Sequence, residues 1–202
     1  MHKNTAYQSA ITHILAIFDD RNKNRLAQYH ALTFQADKIC LLYAGDYSLV
    51  RRRDGLLLTR SRAPGITGMI MPGTPEQYVI LHADSDCDYR LVSNKDFFSR
   101  IDELKAHQDM YTLLLAQVTR QQEREELLLG GSSMVCVQGA ILLLSRLEPD
   151  MLASINVANF VIKMTNLSRS IVMKSVAFLR EENAIEMSKG KLVRVNYLPD
   201  IP

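Results

Sequence analysis

The chain has 202 residues, long enough for one generous core or two modest ones, and its 24 Lys and Arg stand against 22 Asp and Glu, so it has no global basic signature. Any nucleic-acid contact must then come from a local patch. Cys40, Cys87 and Cys136 are odd in number and far apart, and indicate neither a disulfide framework nor a zinc site; no metal or cofactor is expected. The Met1 end has no apolar signal core, and runs such as Ala140 to Leu144 are far too short to span a bilayer, which points to a reducing cytoplasm and no membrane partner.

From Thr5 to Phe18 the apolar residues Ala6, Ala10, Ile14 and Ile17 recur at helical steps behind a capping Thr, predicting a short amphipathic helix. After a polar break from Asp19 to Asn24 the pattern becomes β-like. Runs fall at Tyr29 to Phe34, Ile39 to Tyr43, Tyr47 to Arg53, Leu56 to Arg60, Tyr78 to His82 and Tyr89 to Val92. Asp54-Gly55 predicts a two-residue hairpin, and Pro64-Gly65, Gly68 and Met71-Pro72-Gly73-Thr74-Pro75 predict further reversals. Short strands so closely spaced suggest a small antiparallel sandwich or barrel from about Asn22 to Val92.

No Pro or Gly occurs between Phe97 and Leu129, room for about eight turns of helix. Leu104, Tyr111, Leu114, Val118 and Leu128 form a near-heptad seam on it, with a charged outer face from Arg120 to Glu126, which suggests a dimerisation helix. The alternative is that it packs only on its own β-domain. Gly130-Gly131-Ser132-Ser133 reads as a linker, and the nearly all-apolar Val135 to Leu147 as a buried helix that Glu148-Pro149-Asp150 stops. The resulting division is 1–96, a helix and regulatory β-domain; 97–129, the long helix; 130–133, the linker; and 134–202, a second domain.

In that last domain Val157 to Met164 and Ser168 to Glu182 are two helices joined by Thr165-Asn166-Leu167, a helix-turn-helix layout. Asn166 tolerates the left-handed bend, and Ser168 is placed to cap the second helix. On that helix Ile171, Val172, Val176, Phe178 and Leu179 are read as apolar contacts, leaving Arg169, Ser170, Lys174 and Arg180 for polar ones. The N-terminal turn of such a helix enters the major groove, where Arg or Lys can donate to guanine. Strands at Ile185 to Met187 and Leu192 to Val195 flank Ser188-Lys189-Gly190-Lys191, a wing whose lysines would lie near phosphates.

Ser168-Arg169-Ser170-Ile171-Val172, continuing through Phe178 to Ile185 and the Lys189-Gly190-Lys191 wing, resembles the CRP/FNR superfamily of bacterial regulators, whose recognition helix begins Ser/Thr-Arg-Glu-Thr-Val. Within it the chain looks most like the divergent IprA-type branch, associated with oxidative-stress resistance. The resemblance implies an α+β fold with an N-terminal antiparallel β-roll like a cyclic-nucleotide-binding domain, a long dimerisation helix and a C-terminal winged helix-turn-helix. It implies a transcription regulator that is not an enzyme, with double-stranded DNA, a second copy of the chain and RNA polymerase as partners; whether a small-molecule effector exists stays open. Carried over by position, Arg169, Ser170 and Lys174 fall on base-reading sites, with Ser168, Lys189 and Lys191 completing the DNA contacts. Ser170 replaces the usual Glu, and Ile162 replaces a small residue of the first helix.

Members that bind cyclic nucleotides have Gly-Glu and a later Arg-Ser or Arg-Thr. Counted without gaps, this chain has Gly65-Ile66 and Glu76-Gln77 there, a degenerate cassette in which a carboxylate would repel the phosphate. Cyclic AMP is not an expected ligand. An iron-sulfur cluster would need four cysteines, and a haem would rest on a lone His82 or His107, residues more often structural.

Two other function classes stand beside the regulator. A winged domain that has lost DNA binding could serve as a ligand-sensing or protein-interaction module, which the intact basic residues argue against. An enzyme would need a motif such as GxSxG, HExxH or a P-loop, and the sequence has none. A redox role for a single cysteine stays open, motivated mainly by the resemblance, although Cys40 and Cys136 lie in apolar runs and read as inert core residues, and Asp86 and Asp88 beside Cys87 would disfavour its thiolate.

Overall fold

The computed structural model describes residues 5–18, 22–71 and 73–198. The reading of Pro72 and of Asp19 to Arg21 lies outside them. Two compact units, Met1–Val118 and Thr119–Pro202, divide within a helix.

In the first unit, α1 (Thr5–Ile17) precedes eight strands: β1 (Asn24–Leu26), β2 (Ala31–Leu32), β3 (Lys38–Ala44), β4 (Asp46–Arg51), β5 (Leu57–Arg62), β6 (Gly65–Thr67), β7 (Val79–Ala83) and β8 (Cys87–Ser93). They form two four-stranded antiparallel sheets, ordered β1-β8-β3-β6 and β2-β7-β4-β5. This is the expected β-roll, preceded by a helix.

The unbroken apolar run of β3 has a physical reason. Its side chains alternate between two cores: Cys40 and Leu42 join Phe34, Tyr47, Leu81, Ala83 and Cys87 in one, while Ile39 and Leu41 join α1 residues Ala10, Ile11, Ile14 and Leu15 in the other. Phe18 stacks on Phe97 in the second core, ring centroids 5.1 Å apart. A strand buried on both faces loses its polar alternation.

Several expectations are corrected. The stretch from Tyr29 to Phe34 is not one strand: Tyr29 sits at φ 65 in a turn, and only Ala31–Leu32 pairs. Asp54-Gly55 is not a two-residue hairpin; residues 52–55 form a longer loop closed between Arg51 and Leu56, with the Arg51 guanidinium donating twice to the Asp54 carboxylate. Those charge-assisted bonds hold the Asp54 carboxyl well below its usual range.

The single helix expected over 97–129 is two, α2 (Asn94–Glu103) and α3 (His107–Leu128). α2 begins on a Ser93 cap and ends in a Schellman turn, with Ala106 N donating to Ile101 O, Lys105 N donating to Asp102 O, and Lys105 left-handed at φ 54. Lysine in place of the customary glycine removed the signal.

The second unit holds the end of α3, then α4 (Ser133–Ser145), α5 (Pro149–Ser154), α6 (Val157–Thr165), α7 (Arg169–Glu181) and the hairpin β9 (Ile185–Ser188) and β10 (Lys191–Val195). α4 packs against α6, α7 and β10, burying Val137, Ala140, Ile141 and Leu144. Pro149 both ends the preceding stretch and opens α5, where its missing N–H is not needed. Gly139 of α4 lies directly under α3: a Cβ there would overlap the Leu127 carbonyl oxygen. The Cys136 thiol donates to Leu128 O at 3.3 Å, satisfying a carbonyl of the last turn of α3. Cys136 is thus half-buried rather than a core residue.

Candidate nucleic-acid interface

The helix-turn-helix is α6, a turn and α7. Asn156 caps α6, its Oδ1 accepting from Asn159 N at 3.0 Å. The turn bends at Asn166, left-handed at φ 61, as its side chain allows. Thr165 Oγ1 donates back to Val161 O and accepts from Leu167 N, so the turn satisfies its own polar groups. Ser168 caps α7, accepting from Ile171 N at 3.4 Å.

Burial fixes the rotation of α7 about its axis. Val172, Ser175, Val176 and Leu179 face inward. With about 100° per residue, Ser170, Lys174 and Ala177 point directly outward. Arg169 and Met173 lie on one shoulder, Ile171 and Phe178 on the other. Ile171 and Phe178, read as apolar contacts, are 39% and 43% exposed, because they lie at or beyond the edge of the buried arc. Ile162 of α6 is half-buried, so the larger residue in place of the usual small one is accommodated partly at the surface.

The helix ends in a second Schellman turn, with Ala184 N donating to Leu179 O and Asn183 left-handed at φ 56. Buried Leu179 and Ala184 flank that turn.

The wing turns on Lys189-Gly190, both at positive φ (49 and 77), the geometry of a tight two-residue hairpin. Its tip is tethered: Val157 N donates to Gly190 O at 2.9 Å, and a Cβ at Gly190 would come 2.7 Å from Asn156 Nδ2. The first turn of α6 and the two lysines beside Gly190 are thereby held in one place. At the wing's base Arg194 donates to Glu186 at 2.6 Å, keeping the Glu186 carboxyl below its usual range and occupying that arginine.

Every described arginine of the first unit is engaged: Arg25 pairs with Asp86, Arg51 and Arg53 with Asp54, Arg52 with Glu76, Arg60 with Asp84, Arg62 with Asp46, Arg100 with Glu103, and Arg90 donates to Phe18 O. In the second unit Arg169, Lys174, Lys189 and Lys191 are exposed and have no ion pair among the described residues. Unpaired cations on a helix end and a wing tip are free to take phosphate and base-edge acceptors.

The positions of the degenerate cassette do not converge. Ile66 packs toward the α1 side, Glu76 faces outward to Arg52 at 3.4 Å, and Gln77 is buried, donating to Lys38 O and Gly68 O. Tyr47, whose hydroxyl a Cβ at Gly65 would overlap, and Phe34, which a Cβ at Gly68 would strike, fill the space along β6.

On α3, Met110 and Leu113 are buried, whereas Tyr111, Leu114 and Val118 of the predicted seam are 58%, 40% and 51% exposed. Leu115, which the seam reading missed, is 67% exposed and completes an i, i+3, i+4, i+7 stripe. Leu104 sits instead at the end of α2, exposed, and is not on that helix.

Cys40 and Cys87 are fully buried; desolvation pushes the Cys40 thiol up to about 12, and burial followed by Asp84, Asp46, Asp86 and Asp88 pushes Cys87 up to about 11. Among the described residues no three His, Cys, Asp or Glu are grouped to hold a metal, and no helix is long and apolar enough to cross a membrane.

A β-roll, a helix and a winged helix-turn-helix in this order define the fold of the CRP/FNR regulators. Residues 133–200 match the family described as winged helix-turn-helix DNA binding. The c-di-GMP responsive global regulator CLP of Xanthomonas campestris superposes with a TM-score of 0.70 over 92% of this chain and 99% of its own, at 13% identity. FixK2 of Bradyrhizobium japonicum gives 0.62 over 87% and 92%, also at 13% identity.

The particular likeness is in sequence. The chain is 29% identical over 162 residues to the inhibitor of hydrogen peroxide resistance of Salmonella typhimurium, covering 79% of this chain and 77% of that protein. The Escherichia coli protein of the same name is 28% identical over 152 residues, 74% of this chain and 73% of its own. These agree with the resemblance read from the residues between Ser168 and Lys191.

Proposed function

We propose that the chain is a sequence-specific transcription regulator that acts on DNA in the cytoplasm as a homodimer, serves the oxidative-stress response, and takes no cyclic nucleotide. The observation that carries this reading is the state of the cations: the described arginines of the first unit are all engaged, whereas Arg169 and Lys174 on α7 and Lys189 and Lys191 at the wing tip stand exposed with no ion pair among the described residues. Arg169 and Lys174 would meet base edges while Lys189 and Lys191 hold phosphates. The exposed apolar stripe of α3 supports a second copy as partner. The outward Glu76 and the filled space beside Gly65 and Gly68 support a β-roll without a bound cyclic phosphate. The stress role rests on the names of the two sequence relatives.

Selection of random duplexes by the purified chain tests the reading. A partly palindromic sequence should be enriched, and Arg169→Ala should lose about 1–3 kcal/mol against that sequence while keeping its affinity for random duplex. Equal affinity of the wild type for selected and random DNA would refute it. Capture of a protein partner through α7 that survives nuclease would favour the docking module instead.

A further inference from the structure

The outward face of α7 is not wholly polar. Met173 is 47% exposed and Ala177 is exposed, and neither belongs to the core that Val172, Val176 and Leu179 join. Together with Arg169, Ser170 and Lys174 they form one continuous strip at i, i+1, i+4, i+5 and i+8 from the helix N-terminus. Ser170 is the shortest of these groups, and its hydroxyl lies 3.0 Å from the Ser168 hydroxyl, drawn back toward the cap. Among the strip's first two turns the longest apolar side chain is therefore Met173, bracketed by unpaired cations.

We propose that Met173, with Ala177 behind it, reads the C5-methyl group of thymine in each half-site. This deepens the DNA-reading role proposed above and rests on it. The flanking cations commit the occupant: a strip carrying unpaired Arg169 and Lys174 fits a polyanion's groove better than an apolar protein surface. Within the major groove the thymine methyl is the apolar feature that base edges present. Methionine suits it, because its unbranched, polarizable thioether adapts to an irregular apolar neighbour. The specificity then has two parts, a guanine acceptor edge for Arg169 or Lys174 and a thymine methyl for Met173, one turn along the helix from Arg169.

Uracil in place of thymine removes that methyl and leaves pairing unchanged, which gives a clean test. On the duplex enriched by the wild-type chain, each half-site thymine is replaced by uracil in turn, and affinity is measured for the wild type and for Met173→Ser. One position should weaken wild-type binding by about three- to fivefold, the size expected for one buried methyl. The same replacement should be neutral for Met173→Ser, whose thermal unfolding stays at the wild-type value because the side chain is exposed. Wild-type affinity unchanged by uracil at every thymine would overturn the inference while leaving the regulator reading intact, as would a penalty that persists undiminished in Met173→Ser. If no duplex is enriched at all, the regulator reading fails first and this inference with it.

Discussion

Replacing Leu115 and Val118 together with alanine should convert the protein from dimer to monomer at micromolar concentration. Leu115 and Val118 are 67% and 51% exposed in the single chain. Full burial of such a side chain is worth about 1.5–3 kcal/mol, so covering the exposed part of each gains roughly 1–2 kcal/mol. In a two-fold pair each residue counts twice. Allowing for the methyl that alanine keeps, the double substitution removes about 3–6 kcal/mol per dimer, or about two to four orders of magnitude in Kd. Sedimentation equilibrium across a concentration series measures this directly, with thermal unfolding of each chain as the control, since neither residue contributes to the core of its own unit. A wild-type chain that stays monomeric at tens of micromolar, or a double variant that pairs as tightly as the wild type, would refute the reasoning.

Further outcomes follow from the same structure. Lys189→Gln with Lys191→Gln should weaken binding to all duplexes nearly equally and reduce the slope of log affinity against log salt by about two per chain, read from titrations at several salt concentrations; an unchanged slope would remove the wing from the interface. Gly139→Ala should destabilise the second unit by roughly 1–3 kcal/mol in denaturant unfolding, because its Cβ meets the Leu127 carbonyl, which belongs to backbone and cannot turn aside. With the Cys40 thiol raised to about 12 and Cys87 to about 11, both stay protonated and buried near neutrality, so iodoacetamide at pH 8 should label Cys136 alone in the native chain, as mass spectrometry would show. Their contribution to stability is fully present below the unfolded thiol value and is lost as pH rises toward those folded values, so the unfolding midpoint should fall above about pH 9; a midpoint that rises there would contradict the assignment.

The winged domain was legible because its local signals act where they stand. Asn166 needed only its own backbone freedom to mark the turn, Ser168 its hydroxyl to cap α7, and Lys189-Gly190 the positive φ of a tight hairpin. Features hidden from the sequence depend on partners distant in the chain or on an unusual residue in a common role. The end of α2 is a Schellman turn with Lys105 where glycine would announce it. Asp54-Gly55 looked like a two-residue hairpin, but Arg51 captured the aspartate and a longer loop formed. The exposure of Ile171 and Phe178 could be read only once the burial of Val172, Val176 and Leu179 had set the rotation of α7. The same phase brought Met173 and Ala177 into the strip, and the burial of Met110 and Leu113 did so for Leu115 on α3.

The central claim is that two copies present the Ser168 ends of their α7 helices to one duplex at a fixed separation. It is tested most directly by varying the distance between the two enriched half-sites, one base pair at a time, and measuring affinity at each spacing. Binding should peak when the half-site centres lie about one helical turn (~34 Å) apart and fall at least tenfold when about half a turn is inserted, since the second helix then faces the wrong side of the duplex. Affinity that ignores spacing, or that matches a single half-site at every spacing, would contradict it.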